Sequence, residues 1–98
     1  MTDELLSGDQ IARLGLDDWR SMYGALEARF ATGDFAAGLR LVGAIGEAAE
    51  AAGHHPDVEL RSTHVDVLLT THDAGGVTEL DIRMARFIDE AANTLGEE

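Results

Sequence analysis

The chain has 98 residues, of which 45% are hydrophobic, with one proline, no cysteine and a formal net charge of −12 at pH 7. This composition is that of a globular protein, and the negative charge disfavours nucleic acid and anionic membranes as partners. The absence of cysteine excludes disulfides, thiolate nucleophiles and thiolate metal ligands. The length fits a single domain over residues 1–98, and a domain this small leaves apolar surface exposed unless it self-associates.

The first ten residues are acidic and lack the basic segment followed by an apolar run that is typical of a signal peptide. No apolar stretch approaches the roughly twenty residues that a membrane-spanning helix needs. We therefore expect a soluble cytoplasmic protein.

The N-terminal third predicts a short helix followed by a hairpin. The helix has Ser7 or Asp9 as its N-cap and ends at Gly15. Two brief segments, Trp19–Tyr23 and Ala25–Ala31, then follow with one glycine between them, and the second alternates apolar and polar residues. They predict two paired strands.

A long helix is predicted from the N-cap Asp34 to Gly53, and Pro56 prevents it from continuing. Its buried stripe is expected to contain Phe35, Leu39, Val42, Ile45 and Ala49. Glycines lower helix propensity, so those inside this helix are expected to mark the close approach of another element: Gly38, Gly43 and Gly46.

The remainder of the chain repeats the order of two strands and a helix. Strands are predicted over 58–62 and 64–71, and a last helix begins at Thr78. The expected buried stripe of this helix is Leu80, Met84, Phe87, Ala91 and Leu95. The order helix-strand-strand-helix-strand-strand-helix predicts an α+β fold, a four-stranded antiparallel sheet with three helices on one face.

Three of the four histidines, His54, His55 and His72, are candidates for proton transfer, because an imidazole with a pKa near 6.5 both donates and accepts protons near neutrality. Glu50 precedes His54 by four residues, and this helical offset places a carboxylate beside the first imidazole. An equally good interpretation is a solvated glutamate near a helix end, with two histidines that satisfy C-terminal carbonyls. Spacing alone does not separate the two.

Asp81 has a structural explanation as well, since the segment 78–81 resembles a capping box in which the acidic residue reaches back to the N-cap. His64 is interpreted as an exposed strand residue without a chemical role.

Five polar positions in register are similar to the signature of the pterin-4a-carbinolamine dehydratases: Glu50, His54, His55 before a proline, His72 and Asp81. Residues 69–92 also resemble the last strand, glycine loop and final helix of that family. The N-terminal half resembles the family at fewer positions. The chain departs from the family at Ser62, where an aromatic residue is usual. An aromatic ring offers packing and stacking that a serine cannot supply, so we expect this departure to affect pterin affinity, local packing or oligomer contacts.

The resemblance implies dehydration of a 4a-hydroxytetrahydropterin to a quinonoid dihydropterin, a step of tetrahydrobiopterin recycling, without metal or cofactor. It implies that His54 and His72 form the acid/base pair, that His55 positions the pterin, and that Glu50 and Asp81 support the imidazoles. It also implies a homodimer or homotetramer.

Two other interpretations stay open beside the enzyme. One is a non-catalytic binding or regulatory module that keeps the fold, since some family members act as dimerisation partners of a transcription factor. The other is a zinc or iron site built from the three histidines and a carboxylate. The resemblance accounts for the same residues without metal, so no metal is predicted.

Overall fold

The computed structural model describes residues 4–96, which form three helices and one four-stranded antiparallel sheet. In chain order the elements are α1 (Gly8–Ala12), β1 (Arg20–Met22), β2 (Ala25–Ala31), α2 (Phe35–Ala52), β3 (Asp57–Leu60), β4 (His64–Leu69) and α3 (Glu79–Gly96). The strands lie in the order β1-β2-β4-β3. The predicted α+β class and the predicted order of elements are therefore confirmed.

Local capping residues set the helix bounds close to the predicted positions, except that α1 ends at Ala12 and not at Gly15. The Ser7 hydroxyl accepts a hydrogen bond from the Gln10 backbone N–H, and the Gln10 side chain accepts one from the Ser7 N–H, which makes a complete capping box. At α2, the Asp34 carboxylate accepts from the Ala37 N–H at 2.8 Å. Gly53 ends α2 in the left-handed region, with φ of +64°.

The two central strands, β2 and β4, carry the sheet's contribution to the core. Tyr23 and Gly24 both have positive φ, so the β1–β2 turn has the twist that suits a two-residue hairpin. Alternate residues of the central strands then face the helices and are buried: Leu26, Ala28, Phe30, Val65, Val67 and Leu69. β4 ends at Leu69, two residues earlier than predicted, and Thr71 makes an isolated bridge with Gly76.

The predicted buried stripes of the two long helices are partly wrong. In α2, Phe35 and Leu39 are 53% and 56% exposed, and in α3 Phe87 is 42% exposed. The faces that are buried consist of Gly38, Leu41, Ile45 and Ala49 in α2, and Asp81, Ile82, Met84, Ala85 and Ile88 in α3. Both helices have apolar residues on more than one side, so periodicity alone left the choice of buried side open. Within residues 4–96, no helix combines the length and apolar content that crossing a bilayer requires.

Only one of the three glycines singled out in α2 lies at a close approach. A Cβ at Gly38 would fall 2.6 Å from a Leu60 methyl group, so β3 packs directly on this turn of the helix. A Cβ at Gly43 or Gly46 would meet nothing within 4 Å, and the expectation for these two was wrong. The approach at Gly38 fixes where β3 lies against α2, and thereby where the segment that joins them runs.

Candidate active site

His54 and His55 lie in the four-residue segment between the end of α2 and the start of β3. The backbone N–H of His54 donates to the carbonyl of Ala49 at 3.2 Å, so the first histidine is tied to the last turn of the helix. Pro56 then leads into β3 at Asp57. The predicted position of both histidines just beyond the helix end is confirmed.

The side chain of His54 is directed inward and pairs with Asp81. Its Nε2 lies 2.6 Å from Asp81 Oδ1, with 12% of the His54 side chain exposed and none of the Asp81 side chain. The two residues are 27 positions apart in the chain, so the pair joins the end of α2 to the beginning of α3. A short contact between a buried carboxylate and an imidazole fixes the ring orientation.

Asp81 also caps α3, as predicted. Its Oδ2 accepts from the Thr78 backbone N–H at 2.9 Å, while the Thr78 hydroxyl accepts from the Leu80 N–H at 3.2 Å. The same Oδ2 accepts a second bond, from the Thr71 hydroxyl at 2.8 Å. The capping role and the contact with His54 therefore use different oxygens of one carboxylate.

Glu50 contacts the second histidine and not His54, so of the two interpretations of the spacing the one that pairs Glu50 with His54 was wrong. Glu50 Oε2 lies 2.5 Å from His55 Nε2, and the two side chains are 80% and 62% exposed. The reason is that the chain leaves the helix at Gly53 in a left-handed conformation, which turns the His54 ring inward to Asp81. An ion pair this exposed is worth at most about 1 kcal/mol.

His72 is exposed and lies in the turn that follows β4. Gly75 N–H donates to the carbonyls of Thr71 and His72 at 3.0 and 3.1 Å, and Thr71 N–H donates to the Gly76 carbonyl at 2.9 Å. In this turn His72 directly follows Thr71, whose hydroxyl donates a hydrogen bond to Asp81. The fold thus gathers His54, Asp81 and the segment carrying His72 at one end of the sheet.

Ser62 lies elsewhere, in the exposed turn between β3 and β4. β3 starts directly after the histidine segment, and by the usual strand rise Leu60 is about 10 Å further along than Asp57. Ser62 is beyond Leu60, at the other end of the hairpin. An aromatic side chain at this position would not contact His54 of the same chain.

Two residues have surroundings that the sequence interpretation missed. Thr71 received no role, although the alternation of β4 places it on the inward side with Val65, Val67 and Leu69. His64 is half-buried and not exposed as predicted: its Nε2 lies 3.5 Å from Asp66 Oδ2 without a hydrogen bond.

Three groups elsewhere in the molecule have shifted pKa values: Arg29, Asp66 and Asp89. On the sheet, the hydrogen bond from Arg29 lowers the pKa of Asp66 and raises that of Arg29, through contacts of 2.7 and 3.1 Å. On α3, burial raises the pKa of Asp89, and a 2.8 Å hydrogen bond from Trp19 Nε1 partly opposes this rise. Across residues 4–96, no three histidine, aspartate or glutamate side chains converge as metal ligands would.

The fold and the site together define a small α+β protein with a buried histidine–carboxylate pair and two further histidines at one end of an antiparallel sheet. Residues 4–91 match the sequence model of a family described as pterin 4 alpha carbinolamine dehydratase. A protein of Nocardia farcinica named "Putative pterin-4-alpha-carbinolamine dehydratase" is 46% identical over 94 residues, 94% of this chain and 99% of its own length. The chain therefore belongs to the pterin-4a-carbinolamine dehydratase family, as the sequence resemblance predicted.

Other relatives agree with this assignment. A Bordetella avium protein of the same name is 49% identical over 72 residues, 74% of this chain and 67% of its own length. A crystal structure titled as a transcriptional coactivator/pterin dehydratase from Brucella melitensis has a TM-score of 0.86 at 32% identity and covers 91% of this chain and 99% of its own. A pterin dehydratase-like protein titled as a RuBisCO assembly factor in the alpha-carboxysome has a TM-score of 0.66 at 27% identity, over 76% and 89% of the two chains.

Proposed function

We propose that this protein dehydrates a 4a-hydroxytetrahydropterin to the quinonoid dihydropterin by histidine acid/base catalysis, within tetrahydrobiopterin recycling. The family membership supports the substrate class. The observation that carries the proposal is the pair of His54 and the buried Asp81, because it joins two of the signature positions at 2.6 Å.

The reaction makes modest demands on the protein. The carbon–oxygen bond at the hydroxylated ring carbon breaks, an acid protonates the departing oxygen to give water, and a base takes the proton from the adjacent ring nitrogen. The two electrons of that N–H bond form the new carbon–nitrogen double bond, so nothing is oxidised or reduced. Two histidines, His54 and His72, are assigned to these roles.

The remaining signature residues are assigned to support. His55 is exposed beside Glu50, and both are accessible to a substrate that enters over the end of α2. We assign His55 to positioning the pterin ring and Glu50 to orienting His55. Asp81 is assigned to orienting His54.

The test is the rate of carbinolamine dehydration in His54→Ala and His72→Ala. Each variant is expected to lose at least roughly tenfold in turnover, since general acid/base catalysis contributes about 10²- to 10⁴-fold. His64→Ala is the matched control, because it removes an imidazole from β4 that does not belong to the cluster. Circular dichroism checks that all three variants fold. Near-normal turnover in both cluster variants would remove His54 and His72 from the mechanism.

A second candidate is a non-catalytic binding or regulatory module. Two proteins of similar fold favour it, because one is described as a transcriptional coactivator/pterin dehydratase and the other as a RuBisCO assembly factor. A purified protein that accelerates no dehydration and forms a defined complex with another protein would decide for this candidate. Sedimentation equilibrium on the same sample measures whether the predicted homodimer or homotetramer forms.

A further inference from the structure

We propose that Thr71 is a positioning residue which, together with Thr78, fixes the tautomer of His54 through Asp81 and leaves Nδ1 of His54 as the proton acceptor. The catalytic consequence rests on the proposed function. The hydrogen-bond arrangement itself rests on the geometry of four side chains, three of which are almost completely buried: Thr71, Thr78 and Asp81.

The hydroxyl protons of the two threonines have only one consistent arrangement. Thr71 Oγ1 lies 2.8 Å from Asp81 Oδ2 and 2.8 Å from Thr78 Oγ1. A carboxylate only accepts hydrogen bonds, so the single Thr71 proton is directed to Asp81. Thr78 then donates its own proton to Thr71, while its oxygen accepts from the Leu80 N–H at the start of α3. The chain of donors runs in one direction and ends at the carboxylate.

Asp81 has one further contact, and this contact decides the state of His54. Oδ2 already accepts from the Thr71 hydroxyl and the Thr78 N–H, and Oδ1 faces His54 Nε2 at 2.6 Å. Because the carboxylate accepts here too, the proton lies on Nε2. A neutral imidazole has a single N–H, so Nδ1 carries a free lone pair.

Nδ1 of His54 is also accessible. His54 Nδ1 makes no hydrogen bond within residues 4–96, 12% of the His54 side chain is exposed, and Nε2 is covered by the buried Asp81. We therefore take Nδ1 as the ring nitrogen that faces solvent. When one ring nitrogen is hydrogen-bonded within the protein and the other faces solvent, the lone pair of the second nitrogen is suited to accept a proton. We therefore assign the base to His54 and the acid to His72.

Thr71 connects this arrangement to the turn that carries His72. Its backbone pairs with Gly76 while its hydroxyl bonds to Asp81. Without the hydroxyl, Asp81 Oδ2 would keep only the Thr78 N–H, and the Thr78 hydroxyl would lose its acceptor. The carboxylate would then be restrained by one bond fewer and would hold His54 Nε2 less firmly, so the preference of His54 for one tautomer would weaken.

The experiment compares Thr71→Val, Thr71→Ser and Thr70→Val with the wild type. Thr70 is the matched control: its hydroxyl donates one 2.8 Å bond to the Gly24 carbonyl and contacts neither Asp81 nor His54. The readouts are the ¹⁵N chemical shifts of the His54 ring at a pH where it is neutral, and the pH profiles of kcat and kcat/KM.

In the wild type, we expect a protonated-type shift at Nε2 and an unprotonated-type shift at Nδ1. Thr71→Val is expected to give averaged ¹⁵N shifts from two tautomers of His54. It should also lower kcat roughly tenfold with little change in KM, and move the pKa that the pH profile reports for the general base. Thr71→Ser, which retains the hydroxyl, should restore both readouts to near wild type. Thr70→Val should leave the His54 shifts unchanged.

A wild-type spectrum with the proton on Nδ1 would overturn the proposal, even if Thr71→Val did not fold. Unchanged His54 shifts and pH profile in a folded Thr71→Val would do so as well. If the wild type shows the expected tautomer but no dehydration of carbinolamine, the positioning network stands and the proposed function fails. The two proposals are thus separated by the spectrum.

Discussion

Replacement of Asp81 by asparagine separates its capping role from its role toward His54. In Asp81→Asn, the amide oxygen can occupy the position of Oδ2 and accept from Thr71 and Thr78, as the carboxylate does. The amide nitrogen then faces His54 Nε2 in place of Oδ1. Two N–H groups cannot point at each other, so His54 has to move its proton to Nδ1, and the nitrogen that we assign as the base is then blocked.

The magnitudes follow from the bonds that change. The helix cap survives with neutral hydrogen bonds in place of charge-assisted ones, which are roughly twice as strong. We expect the free energy of unfolding to fall by about 1–2 kcal/mol, or about 4–16 °C in Tm for a chain of this size. Turnover should fall much further, by at least roughly 10²-fold, because the general base is lost.

The assay measures both quantities on the same preparations: thermal unfolding followed by circular dichroism, and carbinolamine dehydration by stopped-flow absorbance. The double variant with His54→Ala completes a cycle in which the rate losses should not add, since both changes remove the same base. A variant destabilised as expected but with turnover within about threefold of the wild type would refute the reasoning and leave Asp81 as a helix cap alone.

Three further predictions concern other parts of the molecule. Gly46→Ala should raise the free energy of unfolding, measured by urea titration, by about 0.5–1 kcal/mol, because nothing lies within 4 Å of the added Cβ. Gly38→Ala should not raise it, because its Cβ would lie 2.6 Å from a leucine methyl group. Burial raises the pKa of Asp89, so the native state holds this proton more tightly than the unfolded chain does. The stability of the wild type should therefore decline, relative to that of Asp89→Asn, as the pH rises from about 4 through the raised pKa. Asp89→Asn is a suitable reference because its amide oxygen can still accept the hydrogen bond from Trp19. Parallel pH dependences of stability in the two proteins would contradict the argument. Ser62→Tyr, in an exposed turn remote from His54, should change the dehydration rate by less than about twofold, and a large gain would show that this turn reaches the substrate.

Features that depend on neighbouring residues were predicted well. Ser7 and Asp34 begin helices, and Gly53 ends one, because a cap needs only a side chain or a backbone conformation within a few positions. The alternation of apolar residues in the central strands identified their inward faces for the same reason. These local features, in order, determined the α+β class.

The buried sides of α2 and α3 were predicted only in part. Each helix has apolar residues on more than one side, and which side is covered depends on where the sheet and the other helix lie. Phe35 and Phe87 match the helical period but remain exposed, whereas Gly38 is buried because a side chain of β3 occupies the space beside it. Periodicity indicates that a helix has a buried face, and tertiary packing selects it.

The sequence by itself determined which polar residues are candidates and that two histidines follow a helix end. It did not determine their partners. Glu50 is four residues from His54 yet contacts His55. The partner of His54 is Asp81, which is 27 residues from it in the chain. The local spacing describes a continuing helix, but Gly53 ends it, and the inward turn of the chain brings His54 to the cap of α3. Only the tertiary structure could place one carboxylate between a helix cap, a threonine hydroxyl and an imidazole, because these groups come from three separate segments of the chain.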